Sequence, residues 1–313
     1  MIMDVASVEL PVDERLRIQK NRLTPEHTTG EEKRISIVTG THGDELEGQY
    51  VCYELNRIIR ENRQNLKGIV DIYPALNPLG IDSISRGIPM FDLDMNRIFP
   101  GSDKGPMAEH LAYHVVEDLK GSDLCIDIHA SNIFLMEIPQ VRINENTAET
   151  LVPYAKKLNV DLIWIHAAAT VLESTLAHSL NSVGVPTLVV EMGVGMRITK
   201  KYCAQLLTGI FHLMKDLGVW DGDIFGEVKE PIISQDHKVG FLNAEASGVF
   251  VPAVAHGAIV REGEHIGDII SPLTGEVLSR VEACVSGKVF TIREYPVVYE
   301  GSLLARILEG VEA

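Results

Sequence analysis

Between residues 34 and 217 the chain alternates short apolar runs with longer segments whose apolar residues recur every three or four positions. The short runs Arg34–Thr39, Gly68–Pro74, Leu124–Ile128, Leu162–His166 and Thr187–Val190 predict buried strands. The longer segments Leu46–Asn62, Ala108–Leu119, Thr147–Leu158, Ser174–Ser182 and Lys200–Leu217 predict helices, the first with Val51, Leu55, Ile58 and Ile59 on one face. Strands alternating with helices demand an α/β layer with a mainly parallel sheet flanked by helices. After Val219 the pattern changes: a turn-rich Trp220-Asp221-Gly222-Asp223 leads into short β-rich pieces broken by glycine, with no helical period. This predicts a first domain over residues 1–225 and a small all-β domain over 226–313, with the boundary inside 220–238.

Composition bounds the partners. A net charge of −16 repels nucleic acid and anionic membranes, so an anionic ligand must be met by a local cluster of Arg or Lys. No run approaches the ~18 apolar residues of a membrane span, and the N-terminus lacks a basic stretch followed by an apolar core. The four cysteines, Cys52, Cys125, Cys203 and Cys284, form no C-x-x-C pair, which excludes a thiolate zinc knuckle. Cys125 and Cys203 read as buried thiols. A soluble, cytoplasmic protein is expected.

The chemistry-bearing residues follow the strands. His42 and Glu45 come after the first run, Asn77-Pro78 after the second, His129 and Ser131 after the third, and Glu191 at the end of the fifth. In open α/β sheets ligands bind at the carboxyl ends of strands, so these side chains should converge. His42, Glu45 and a distant His129 make a His₂Glu set, an ordinary catalytic zinc arrangement that leaves one position open. Asp127 is expected on the opposite face of its strand, as an indirect support and not a ligand. His166 and His178 read as structural, His256 and His265 as surface residues, and Arg142 as a weak candidate for substrate contact.

The run Gly40-Thr41-His42-Gly43-Asp44-Glu45, then Asn77-Pro78, Arg86, Asp94-Met95-Asn96-Arg97-Ile98-Phe99-Pro100-Gly101, Asp127-Ile128-His129 and Glu191-Met192-Gly193 closely resembles the succinylglutamate desuccinylase/aspartoacylase family, which belongs with the zinc carboxypeptidases. The resemblance covers roughly residues 34–215. It departs from many relatives at Asp44, where they carry Asn, and at Met95, where they carry Leu. It implies a zinc-carboxypeptidase-like fold with one zinc per chain on His42, Glu45 and His129. It further implies Glu191 as general base, Arg86 as the group that polarises the scissile carbonyl, and Asn96 and Arg97 as a grip on a substrate carboxylate. Asn77 is a further substrate-binding candidate, equally suited to bridging loop backbone. The alternatives are a structural acid at 191, a solvated arginine at 86, and an Arg97 that pairs with Asp92 or Asp94.

The tail from Gly248 to Ile307 resembles a biotinyl/lipoyl-like half-barrel, but its expected hairpin tip, Ser271-Pro272-Leu273-Thr274-Gly275, has no lysine to carry a cofactor. It is therefore read as structural, shaping the mouth of the site or a homo-oligomer contact. The expected activity is zinc-dependent hydrolysis of the amide of a small N-acyl amino acid. A zinc carboxypeptidase acting on a short peptide and a zinc-stabilised binding protein are the alternatives.

Overall fold

In a computed structural model, which describes residues 1–167, 173–224, 226–235 and 238–311, the elements run in chain order as follows. An N-terminal pair, β1 (Ile2–Glu9) and β2 (Arg15–Leu23), precedes β3 (Arg34–Thr39), α1 (Glu47–Glu61), β4 (Ile69–Tyr73), α2 (Pro78–Ser83), α3 (Met107–Leu119), β5 (Leu124–Ala130) and β6 (Leu135–Asn144). Then come α4 (Ala148–Ala155), β7 (Leu162–His166), α5 (Leu176–Ser182), β8 (Thr187–Gly193) and α6 (Lys200–Asp216). The tail holds β9 (Ile232–Gln235), β10 (Val239–Asn243), β11 (Gly248–Pro252), β12 (Ile259–Val260), β13 (His265–Ser271), β14 (Glu276–Glu282), β15 (Gly287–Arg293), β16 (Val297–Val298) and β17 (Leu303–Glu309).

The large sheet has the order β1-β2-β4-β3-β5-β8-β6-β15-β17-β10, with β12 on β15, and β7 and β9 continuing from β6. Its centre, β4-β3-β5-β8, is parallel, as is β6-β7-β9. Both faces of this centre are covered, so its strands are continuous apolar runs and not alternating ones. Every residue of β5 is buried. On one face Leu124, Ile126, Ile128, Val190 and Met192 pack with Val51, Leu55 and Ile59 of α1 and Leu206 and Ile210 of α6. Each such side chain contributes about 1.5–3 kcal/mol when fully buried. On the other face Val38, Tyr73 and Cys125 pack with Leu111 and Val115 of α3 and Leu180 of α5.

The expected strands and helices of residues 34–217 form with shifts of a few residues at their ends; the expected helix over Thr147–Leu158 keeps regular α structure only over Ala148–Ala155. Three strands escape the sequence pattern. In β2, buried Leu16 and Ile18 are followed by Lys20, 2% exposed. It is accommodated because its ammonium donates to Asp71 (3.3 Å), Asp118 (2.6 Å) and the Tyr73 hydroxyl (3.4 Å). Its antiparallel partner β1 goes unread with it. In β6, Glu137, Gln140 and Arg142 interrupt the apolar alternation.

The tail forms a second, four-stranded antiparallel sheet, β14-β13-β11-β16, around Phe250, Ile266, Ile269 and Val298. The β13–β14 hairpin turns at residues 272–275, where the missing lysine was expected. The main sheet runs on across residue 225: β15 pairs with β6 at Thr291↔Glu137 and Ile292↔Met136, and Trp164, Leu162 and Ile138 share a buried cluster with Phe290 and Leu308. Among the described residues no helix is long and apolar enough to cross a membrane.

Candidate active site

The site is built on the carboxyl ends of β3, β5 and β8. Two glycines shape the loop after β3. Gly40 has φ +67°, and a Cβ there would stand 2.9 Å from the Pro74 carbonyl oxygen. At Gly43 a Cβ would lie 1.9 Å from the Gly80 carbonyl carbon, so only glycine lets the loop press against α2. Its N–H donates to the Ser85 carbonyl (3.1 Å), which anchors the loop between His42 and Glu45.

Strand period places the rest. On β5, Cys125, Asp127 and His129 share one face because side chains repeat every two residues. This corrects the expectation for Asp127: it lies on the face of His129, and its Oδ2 is 3.1 Å from His129 Nε2. On β8, Thr187, Val189 and Glu191 share the corresponding face. His129 and Glu191 are direct neighbours in the parallel register, which brings the expected base beside the expected ligand.

His42 Nδ1 and His129 Nδ1 are 3.3 Å apart, and they stand 2.6 Å and 2.9 Å from the two oxygens of Glu45. All three residues are 3% exposed. Donor atoms around a tetrahedral zinc with bonds of ~2.0–2.2 Å lie roughly 3.4 Å apart. The set therefore fits a metal ion: two imidazole nitrogens and a carboxylate, mutually within 4.8 Å. The remote nitrogens are held too, His42 Nε2 by Asp94 Oδ1 (3.1 Å) and His129 Nε2 by Asp127. Carboxylates on the outer nitrogens fix ring orientation and raise ligand basicity. Burial pushes Glu45 up, but His129 and His42 outweigh it and hold the carboxyl down at about 2. Burial alone would lower both histidines; Asp94 and Glu45 raise His42, while Asp127 and Glu45 raise His129 well above its ordinary value. The cluster thus calls for positive charge at its centre.

Around it lies a cavity of about 690 Å³ lined by Arg86, Asn96, Arg97, Arg142, His178 and Glu191 among others. Arg86 reaches Glu45 Oε1 (3.2 Å) and Asp94 Oδ2 (3.3 Å). Asp94 is therefore a hub, since it also accepts from the Asn96 N–H (2.8 Å). Asn96 ties this loop to α5 by accepting from the Leu176 N–H (2.9 Å), and Arg97 donates to the Asn96 carbonyl (2.8 Å). No carboxylate pairs with Arg97 among the described residues; Asp94 is taken by His42 and Arg86.

Asn77 sits elsewhere. Its Oδ1 caps α2 at the Gly80 N–H (2.9 Å) and its Nδ2 donates to the Gly87 carbonyl (3.0 Å). Both ends of the amide hold loop backbone, next to Arg86.

Glu191 lies at the wall with 17% of its side chain exposed, 3.5 Å from Arg142 Nη1. Burial pushes its carboxyl up to about 7; Glu137 and Glu45 add to this, and Arg142 and His129 oppose it. Arg142 is held by buried Glu137 (2.8 Å), which also accepts from Arg306 of β17 (2.7 Å) and Gln140 (2.8 Å). Sequence reasoning ranked Arg142 low because nothing local marks it; the β6–β8 pairing, Arg142↔Val189, brings it to the cavity. His166 and His178, read as structural, also line the wall. His256, expected at the surface, is half-buried and bridges the Tyr202 hydroxyl (3.0 Å) and the Phe290 carbonyl (3.0 Å), with its ordinary pKa lowered chiefly by burial. His265 pairs with Asp268 (2.9 Å). Cys125 and Cys203 are buried, as expected.

The chain is 26% identical over 300 residues, 91% of its length and 84% of the relative's, to the N-alpha-acetyl-L-2,4-diaminobutyric acid deacetylase of Halomonas elongata. Among solved structures it is similar to the product-bound ectoine utilization protein EutE (DoeB) of Ruegeria pomeroyi, with a TM-score of 0.81 and 19% identity, covering 97% of this chain and 92% of that one. It is also similar to a succinylglutamate desuccinylase/aspartoacylase of Rhodobacter sphaeroides, with a TM-score of 0.81 and 22% identity, covering 100% and 96%. Residues 31–217 match the model of the succinylglutamate desuccinylase/aspartoacylase catalytic domain, and with more than half its length so matched, the chain belongs to the succinylglutamate desuccinylase/aspartoacylase family.

Proposed function

We propose that the protein hydrolyses the amide bond of a small N-acyl amino acid, with His42, Glu45 and His129 holding one zinc ion. The observation that carries this reading is the meeting of a buried His₂Glu donor set with Glu191, its strand neighbour. When bound, zinc supplies a Lewis acid for a carbonyl oxygen and lets water ionise near neutral pH.

The chain's own groups do the rest. Arg97, free of carboxylate partners among the described residues, presents a planar fork to the substrate carboxylate. Asn96 holds that loop against α5, and Asn77 holds the neighbouring one. Arg86, already beside the donor set, stabilises negative charge as it develops on the scissile carbonyl oxygen. Glu191 takes the proton of the attacking water and hands it to the leaving amine. A carboxyl raised toward neutrality suits both directions of transfer, and Arg142 fixes its orientation. Three arginines around one cavity provide the local positive field that a chain of net charge −16 needs for an anionic substrate.

The relative's acetylated diamino acid belongs in the first substrate panel with acetyl- and succinyl-amino acids and short peptides. The decisive experiment measures metal content and amine release for wild type and His129→Ala. About one zinc per chain at this centre, lost in the variant together with amine release, is expected. Turnover that survives removal of the metal would overturn the reading, and cleavage of peptides alone would turn it to a carboxypeptidase.

A further inference from the structure

We propose a second metal site, sharing no residue with the first, formed by Asp103, His110 and His114 at the half-exposed side of α3. Residues four apart on a helix share a face, and the rings of His110 and His114 stand with centroids 4.4 Å apart. The segment entering α3 brings Asp103 to them. Its Oδ1 lies 3.7 Å from His110 Nδ1 and 3.3 Å from His114 Nε2, and one donor atom from each of the three lies within 4.8 Å of the others. Bonds of ~2.0–2.1 Å in a tetrahedral set place donors roughly 3.4 Å apart, so both contacts to Oδ1 already have about the separation that a shared ion imposes.

The carboxylate is also pre-placed. Gly101, with φ +76°, packs so closely on α3 that a Cβ would lie 2.2 Å from the Glu109 carbonyl oxygen. The Ser102 N–H donates to that same carbonyl (3.1 Å), and the Gly105 N–H closes the turn onto the Ser102 carbonyl (3.0 Å). His110 Nδ1 donates to the Asp103 carbonyl (2.8 Å), the one bond an ion would have to replace. Two imidazoles and one carboxylate favour zinc, nickel or copper over magnesium or calcium. The side chains are 30%, 38% and 55% exposed for His110, His114 and Asp103, which leaves room for water at the remaining coordination positions. An ion here would tie Asp103, just past the loop that carries Asn96 and Arg97, to α3.

The test is equilibrium dialysis of the full chain against buffered zinc, counting ions per chain by elemental analysis. Wild type should hold one zinc more than His114→Ala, and the extra ion should persist in His129→Ala. His110→Gln, which keeps helix propensity and ring-sized bulk, should lose the same ion, with circular dichroism reporting the fold. Equal zinc in wild type and His114→Ala, or an extra ion that survives both substitutions, would overturn the proposal. Loss of binding confined to His129→Ala would overturn it while leaving the active-site reading intact.

Discussion

Asp94 links a ligand, the Asn96 loop and Arg86 without belonging to the donor set itself, so its removal tests the geometry sharply. Its Oδ1 receives His42 Nε2 at 3.1 Å and the Asn96 N–H at 2.8 Å, while Oδ2 faces Arg86 at 3.3 Å. Asp94→Ala removes all three. The bond to the charged group is worth about 1.5–3 kcal/mol. The Arg86 pair adds little, because that guanidinium is 43% exposed and screened. Losing a carboxylate behind a metal-bound histidine costs about 10–100-fold in affinity, and at about 1.4 kcal/mol per tenfold the two figures agree. Asp94→Ala should therefore weaken zinc binding by about 100-fold. Asp94→Asn keeps an Oδ1 that the Asn96 N–H can orient toward His42, so it should weaken binding by only about tenfold. The assay is competition for zinc against a chromophoric chelator, with urea unfolding to confirm that each variant is folded. Wild-type affinity in Asp94→Ala would refute the claim that this carboxylate supports the metal centre.

Glu191→Gln should leave zinc content unchanged and lower kcat by about 10²–10⁴-fold; near-normal turnover would remove the assigned base. Glu137→Ala leaves Arg142 and Arg306, only 29% and 18% exposed, without their shared carboxylate, and should destabilise the fold by about 3–5 kcal/mol; an unchanged urea midpoint would contradict that network. In chelator-stripped protein, Glu191 carries a pKa raised from 4.5 to about 7. Its stabilising contribution is full below about 4.5 and is lost as pH rises through 7. The stability difference between wild type and Glu191→Gln should shift against wild type over that window; a flat difference would show that Glu191 titrates normally. Gly43→Ala, whose Cβ would meet the Gly80 carbonyl carbon at 1.9 Å, should weaken zinc binding by displacing His42 and Glu45. Wild-type zinc affinity in a folded Gly43→Ala would show that the loop can move aside.

Apart from β6 and the short α2, the strands and helices of residues 34–217 were legible because one face after another of a parallel sheet is covered, which writes apolar runs and three-to-four-residue periods directly into the chain. The same sequence showed that His42, Glu45, His129 and Glu191 follow strand ends, and ends of parallel strands meet. Period two also placed Asp127 with His129, a point the opposite-face expectation missed. What local pattern cannot carry is pairing between distant segments. Lys20 breaks the period of β2 and is buried only because Asp71 and Asp118 come to it from β4 and α3. Asp94 supports His42 across 52 residues, and Arg306 of the tail reaches the same Glu137 that positions Arg142. The residue types and their order along the chain determined the donor set. The tertiary structure alone decided which carboxylates stand behind it and which arginines face it, because those contacts depend on strand order and register, which no single segment specifies.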